Sequence, residues 1–155
     1  GVLVVITPMP LNLAILNTGA ANAVIDEYPH ISTWILAGHS LGGASAAIFA
    51  ENNPTSIDAL ALWDSYPPDS ADLSDNTIPA ISIFGTTDDF PNTENFDDKK
   101  HLLPADTRFV GIEGASHAQF GDYGPQKGDV VASISLAEQH DRVAEIMLDF
   151  IIQHQ

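Results

Sequence analysis

The strongest constraint on the fold is a series of short runs dominated by apolar residues that show no polar alternation. They are GVLVVIT (1–7), TWILAG (33–38), IDALALW (57–63), AISIFG (80–85) and TRFVGIEG (107–114). A strand that keeps apolar groups on both of its faces must be covered on both faces. The segments between the runs have a different period. From about Thr18 to Tyr28, Ala21, Val24, Ile25 and Tyr28 recur at helical spacing with Asp26 and Glu27 on another face, and Pro29 ends the pattern. ASAAIFAENN (44–53) is alanine-rich and helical up to the turn at Asn53 and Pro54. Near the C-terminus, Ser135 with Glu138 forms a capping box ahead of an apolar stripe of Val143, Ile146, Met147, Phe150 and Ile151. Strands alternating with helices predict an α/β fold, a mostly parallel sheet with helices on both faces. The stretches 66–77 and 86–104, rich in Pro, Asp, Ser and Asn, read as surface loops.

A chain of 155 residues with 45% hydrophobic content is enough for one core, so residues 1–155 read as a single domain. No apolar run approaches the ~18 residues needed to span a bilayer. The absence of cysteine excludes thiolate catalysis and cysteine-based metal sites, and leaves the compartment undetermined. Five Lys plus Arg stand against 21 Asp plus Glu, for a formal net charge of -16. Such a surface repels phosphate backbones and anionic lipid, so neither nucleic acid nor a membrane is expected as a partner. The same acidity also suits saline surroundings, where salt screens the self-repulsion.

One junction carries chemistry. In GHSLGG, Gly38, Ser40 and Gly42 fit the G-x-S-x-G pattern, with a strand before and a helix after. A sharp turn there holds the serine in a strained conformation, its Oγ free above the sheet, while glycines two before and two after let the neighbouring chain pass. The N–H of Leu41, at the start of the following helix, points toward a developing oxyanion. The bland alternative is a glycine-rich turn whose serine merely caps a helix.

A serine nucleophile needs a histidine base, and the base needs a carboxylate to fix its tautomer, in the chain order Ser, acid, His for this class of sheet. AISIFGTTDDF supplies Asp88 and Asp89 at a strand end, with Asp88 preferred and Asp64, ending ALALWD, as the rival one strand earlier. FVGIEGASHAQFGDYG supplies His117 in a glycine-bounded loop after the last strand. His39 adjoins the serine and is expected to point away from it. His30, His101, His140 and His154 lie in less suitable places.

These motifs carry a resemblance. GHSLGG around Ser40, FGTTD ending in Asp88, GASHAQFGDYGPQKGD around His117 and LALWDSYP make the chain resemble the α/β-hydrolase superfamily, and within it the small bacterial esterases related to dienelactone hydrolases. The resemblance implies a serine hydrolase with Ser40, Asp88 and His117 as its triad. It cleaves a small carboxylic ester or lactone through an acyl-enzyme, without metal or organic cofactor and without a large helical cap. A non-catalytic hydrolase-like binding protein, an acyltransferase and a carbon–carbon hydrolase are the alternatives. The family has a further strand, ending in a loop that donates the second oxyanion N–H, which is not found ahead of GVLVVIT. Either a second copy of the chain or an N-terminal segment completes the sheet, or GVLVVIT pairs directly with the TWILAG strand. In the latter case the N–H of Met9 is the natural second donor, since its proline neighbours have none.

Overall fold

The computed structural model describes residues 1–87, 93–124 and 130–154. Its centre is a parallel sheet of β1 (Ile35–His39), β2 (Ala59–Trp63), β3 (Ala80–Gly85) and β4 (Arg108–Ile112), hydrogen-bonded in the order β1-β2-β3-β4. Four of the five apolar runs thus become strands. The crossovers carry α2 (Leu41–Asn52) after β1 and α3 (Thr93–Lys99) after β3; α1 (Ala20–Glu27) precedes the sheet and α4 (Leu136–Gln153) follows it.

β1, β2 and β3 feed two cores, whereas β4 feeds only one, with Arg108, Phe109 and Gly111 exposed, so the TRFVGIEG run is not covered on both faces as expected. Leu60 and Leu62 of β2 point to one face, where they meet Ala46, Ala47, Phe49 and Ala50 of α2. The small alanines let that helix lie close to the sheet. Ala59 and Ala61 point to the other face, joining Ile81 and Ile83 of β3 and Ile112 of β4 against Val143 and Phe150 of α4. This two-sided burial is what the lack of polar alternation predicted. At the start of α4 the Ser135 hydroxyl accepts from Glu138 N at 3.2 Å, while the Glu138 carboxylate turns to Arg142 at 2.7 Å instead of returning to the cap.

Three further expectations need correction. GVLVVIT is not a strand: residues 1–7 pair with nothing in the sheet, and Val2 to Ile6 are 38% to 89% exposed. A run with strand composition becomes a strand only when it is paired, and this one is bonded to no strand of the sheet. The stretch 86–104 is not all loop, because Thr93–Lys99 is helical and Phe96, Leu102 and Leu103 turn inward. The stretch 66–77 is irregular, as expected, but buries Pro67, Ala71 and Leu73.

Candidate active site

The parallel register sets the carboxyl ends of the strands side by side: His39 is level with Trp63, and Trp63 with Ile83. Ser40 leaves β1 with φ 52° and ψ -123°, a conformation costly for any residue with a Cβ. Several bonds hold it there. Ser40 N donates to Trp63 O at 3.1 Å, and its carbonyl accepts from Gly43 N at 2.9 Å, Ala44 N at 3.1 Å and the Ser65 hydroxyl at 2.6 Å.

The turn also needs space. A Cβ on Gly38 would lie 2.3 Å from the carbonyl carbon of Gly42, and one on Gly43 would lie 2.5 Å from Ser65 Oγ. A Cβ on Gly42 would meet nothing within 4 Å, so the tight glycine after the serine is Gly43, not Gly42.

His117 opens a short 3₁₀ turn, His117–Phe120, beyond β4. Its Nε2 lies 3.1 Å from Ser40 Oγ and its Nδ1 lies 2.6 Å from Asp64 Oδ2. The tautomer that satisfies both contacts carries its proton on Nδ1, donates it to the carboxylate and accepts from the serine hydroxyl at Nε2. His117 and Asp64 are 1% and 3% exposed, so the pair is shielded from bulk water. Asp64 follows β2 at φ 45°, fixed by its N–H to Ile83 O at 2.7 Å and by its Oδ1, which accepts from Gly85 N at 3.2 Å.

Asp88 and Asp89 lie outside the described residues. The contact expected of Asp88 is made by Asp64, so the carboxylate beside His117 stands one strand earlier than the preferred reading placed it. His39 also differs from expectation. It does not point away but lies 4.5 Å, centroid to centroid, from the His117 ring. The positive φ of Ser40 breaks the strand alternation that would have sent neighbouring side chains to opposite faces.

Leu41 is the first residue of α2, where a helix N–H lacks an intrahelical partner. Met9 precedes the turn Pro10–Asn12, but its role depended on GVLVVIT pairing with β1, and that pairing is absent. Sequence reading missed Gln139. Its side chain is fully buried and clasps the backbone just before His117, accepting from Ser116 N at 3.0 Å and donating to Ser116 O at 2.9 Å. The available signal was a glutamine one helical turn before Val143, in line with the apolar stripe of α4.

Known proteins share this arrangement of strands. Residues 1–141 match the model of an alpha/beta hydrolase family. The chain belongs to that family. Its fold is similar to that of the dienelactone hydrolase of Anabaena variabilis, with a TM-score of 0.54 and 27% identity over 67% of this chain and 49% of that one. An α/β hydrolase enzyme from the sediment metagenome of the lagoon of Mar Chica, Morocco, aligns with a TM-score of 0.56 at 22% identity, over 69% of this chain and 62% of the other. The monoacylglycerol lipase of Paleococcus ferrophilus gives a TM-score of 0.61 at 15% identity, over 92% and 76%. The chain thus spans about half of the first of these solved relatives and somewhat under two thirds of the second. Among curated proteins, none matches its sequence.

Proposed function

We propose that the chain is a serine hydrolase of small carboxylic esters or lactones, with Ser40 as nucleophile, His117 as base and acid, and Asp64 as the carboxylate that orients His117. The observation that carries the reading is the relay from Ser40 Oγ to His117 Nε2 to Asp64, at 3.1 Å and 2.6 Å, on a strained strand-to-helix turn. Ser40 Oγ attacks the acyl carbonyl while His117 Nε2 takes its proton. The negative charge on the former carbonyl oxygen meets the N–H of Leu41 and the positive end of α2. When the tetrahedral species collapses, His117 returns the proton to the departing alkoxide and leaves an acyl group on Ser40. A water, deprotonated by His117, then releases the acid. Asp64 stays ionised throughout and stabilises the imidazolium.

The substrate class is supported by the family and by the named activities of the solved relatives. Small size is supported by the connection from β2 to β3, which turns Pro67, Ala71 and Leu73 into the core rather than building a cap over Ser40. In the same reading the open edge of β1 takes a strand from a preceding N-terminal segment or from a second copy, and the second oxyanion donor comes with it. The open edge and the exposed Val2 to Ile6 support this.

Labelling by a fluorophosphonate, followed by turnover of p-nitrophenyl esters of rising acyl length, tests the proposal. Stoichiometric labelling lost in Ser40→Ala, with turnover favouring short acyl groups, is the expected result. Labelling without turnover points to a binding protein that retains a reactive serine. Preference for alcohols over water as acceptor points to an acyltransferase.

A further inference from the structure

After supplying His117, the segment HAQFGDYG contributes Phe120, Gly121 and Tyr123, which the proposed chemistry does not use. All three bear on His39, the residue before Ser40. The His39 ring is stacked with Phe120, centroids 5.8 Å apart and planes at 19°, and with Tyr123 at 5.9 Å and 23°. It lies against His117 at 4.5 Å with a tilt of 48°. The Tyr123 hydroxyl stands 3.4 Å from His39 Nδ1. A Cβ on Gly121 would fall 2.3 Å from Tyr123 Cε1, so only glycine lets the tyrosine ring lie down over the chain at that point.

Hydrogen bonds at Nδ1 and Nε2 hold the His117 imidazole at two points in its own plane. A ring packed beside it adds resistance to tilting about the line between them. We propose that His39, held by Phe120 and Tyr123, is a positioning residue that keeps His117 Nε2 aimed at Ser40 Oγ and at the leaving group. The proposal rests on the serine-hydrolase reading above. His39 touches no reacting atom in it and acts only through the His117 ring.

The consequence is selective. A misaligned His117 protonates a departing alkoxide poorly, whereas p-nitrophenolate leaves without a proton. His39→Ala is expected to lower kcat/KM about 10²-fold for an alkyl ester, the scale of a 1 Å misplacement. It should lower kcat/KM for a p-nitrophenyl ester less, since His117 is still needed there as base but not as acid, with little change in KM. His39→Phe, which keeps a flat ring in the stack, should recover most of the loss. Tyr123 is 52% exposed, so Tyr123→Ala removes the outer part of the stack without opening the core and should show the same pattern at smaller size.

The experiment measures kcat and KM for an alkyl acetate and for p-nitrophenyl acetate in these three variants and in Ser40→Ala. A greater loss of kcat/KM on p-nitrophenyl acetate than on the alkyl acetate, a loss confined to KM, or a His39→Phe variant as impaired as His39→Ala overturns the positioning role. So do wild-type kinetics in both His39→Ala and Tyr123→Ala while Ser40→Ala is inactive. A Ser40→Ala variant that keeps its turnover overturns the hydrolase reading itself, and this inference with it.

Discussion

On one side of Ser40, β1 is bonded along its length to β2, and beyond it stand Asp64, His117 and the buried Gln139 that clasps the chain before His117. On the other side β1 ends the sheet, and the apolar residues 2–6 that precede it in sequence lie exposed. The two sides serve different halves of the proposed chemistry. Proton movement draws on the bonded side, where Asp64 and His117 are each held by hydrogen bonds. Stabilisation of the oxyanion draws on the N–H of Leu41 at the start of α2 and, in the proposed reading, on a second donor brought by a strand at the open side. Reactivity of the serine and speed of its turnover are thereby separable properties.

The largest effects are expected on the bonded side. Ser40→Ala or His117→Ala should each lower kcat by about 10⁶, and the double variant should lose little more, because the members of a relay act as one unit. Asp64→Asn should cost about 10⁴ by favouring the wrong tautomer of His117. Asp88→Asn should stay within a few-fold of the parent. Steady-state hydrolysis of a p-nitrophenyl ester checks all five. A loss for Asp88→Asn exceeding that for Asp64→Asn would return the acid to the strand end after β3.

Next come AISIFG and GVLVVIT, both short and mainly apolar. Ile83 is fully buried in β3 between the sheet and α4, so Ile83→Ala should cost about 2 to 5 kcal/mol in urea unfolding. Gly43→Ala, which forces a methyl into Ser65, should cost about 1 to 3 kcal/mol and should also lower turnover by distorting the turn. Gly42→Ala, with open space around its new methyl, should be neutral or slightly stabilising in the first turn of α2. Equal effects at Gly42 and Gly43 would contradict the geometry of the turn.

Much of this was legible in the residues. The parallel sheet, the helices on its two faces, the serine turn and His117 as the residue across from it all follow from period, glycine spacing and chain order. What escaped depends on groups distant in sequence. Choosing between Asp64 and Asp88 turns on how far His117 swings back across the sheet, 53 residues from its partner, and no local pattern encodes that. His39 was misjudged because strand alternation was extended one residue too far, into the positive φ of Ser40. GVLVVIT was misjudged because composition states what a segment can pair with and not whether a partner is beside it.

A further difference concerns charge. With a net charge of -16, repulsion among carboxylates weakens the compact state at low ionic strength, and salt should relieve it. The melting temperature is therefore expected to rise with NaCl for the parent protein. Asp64 should not share in this gain, because it is buried against His117 and screened little by bulk salt. Asp64→Asn should show the same salt slope as the parent, and a flat melting temperature from millimolar to molar NaCl would dispose of the idea.

The smallest expected effect lies in the exposed N-terminal run, where it tests the comparison most directly. Ile6 is 89% exposed and Ile83 fully buried, so the same removal of apolar atoms should cost far less at Ile6. Ile6→Ala in the isolated chain at low micromolar concentration should change stability by less than about 0.5 kcal/mol, since its side chain gives up almost no contact. Urea midpoints at several protein concentrations separate the outcomes. A loss that appears only as concentration rises means that a second copy covers the run, because association then stabilises the folded state by mass action. A loss of about 2 kcal/mol or more at every concentration means that residues 1–7 pack on their own sheet. The open side of Ser40 would then be closed by the chain itself, and Met9 would return as the second oxyanion donor.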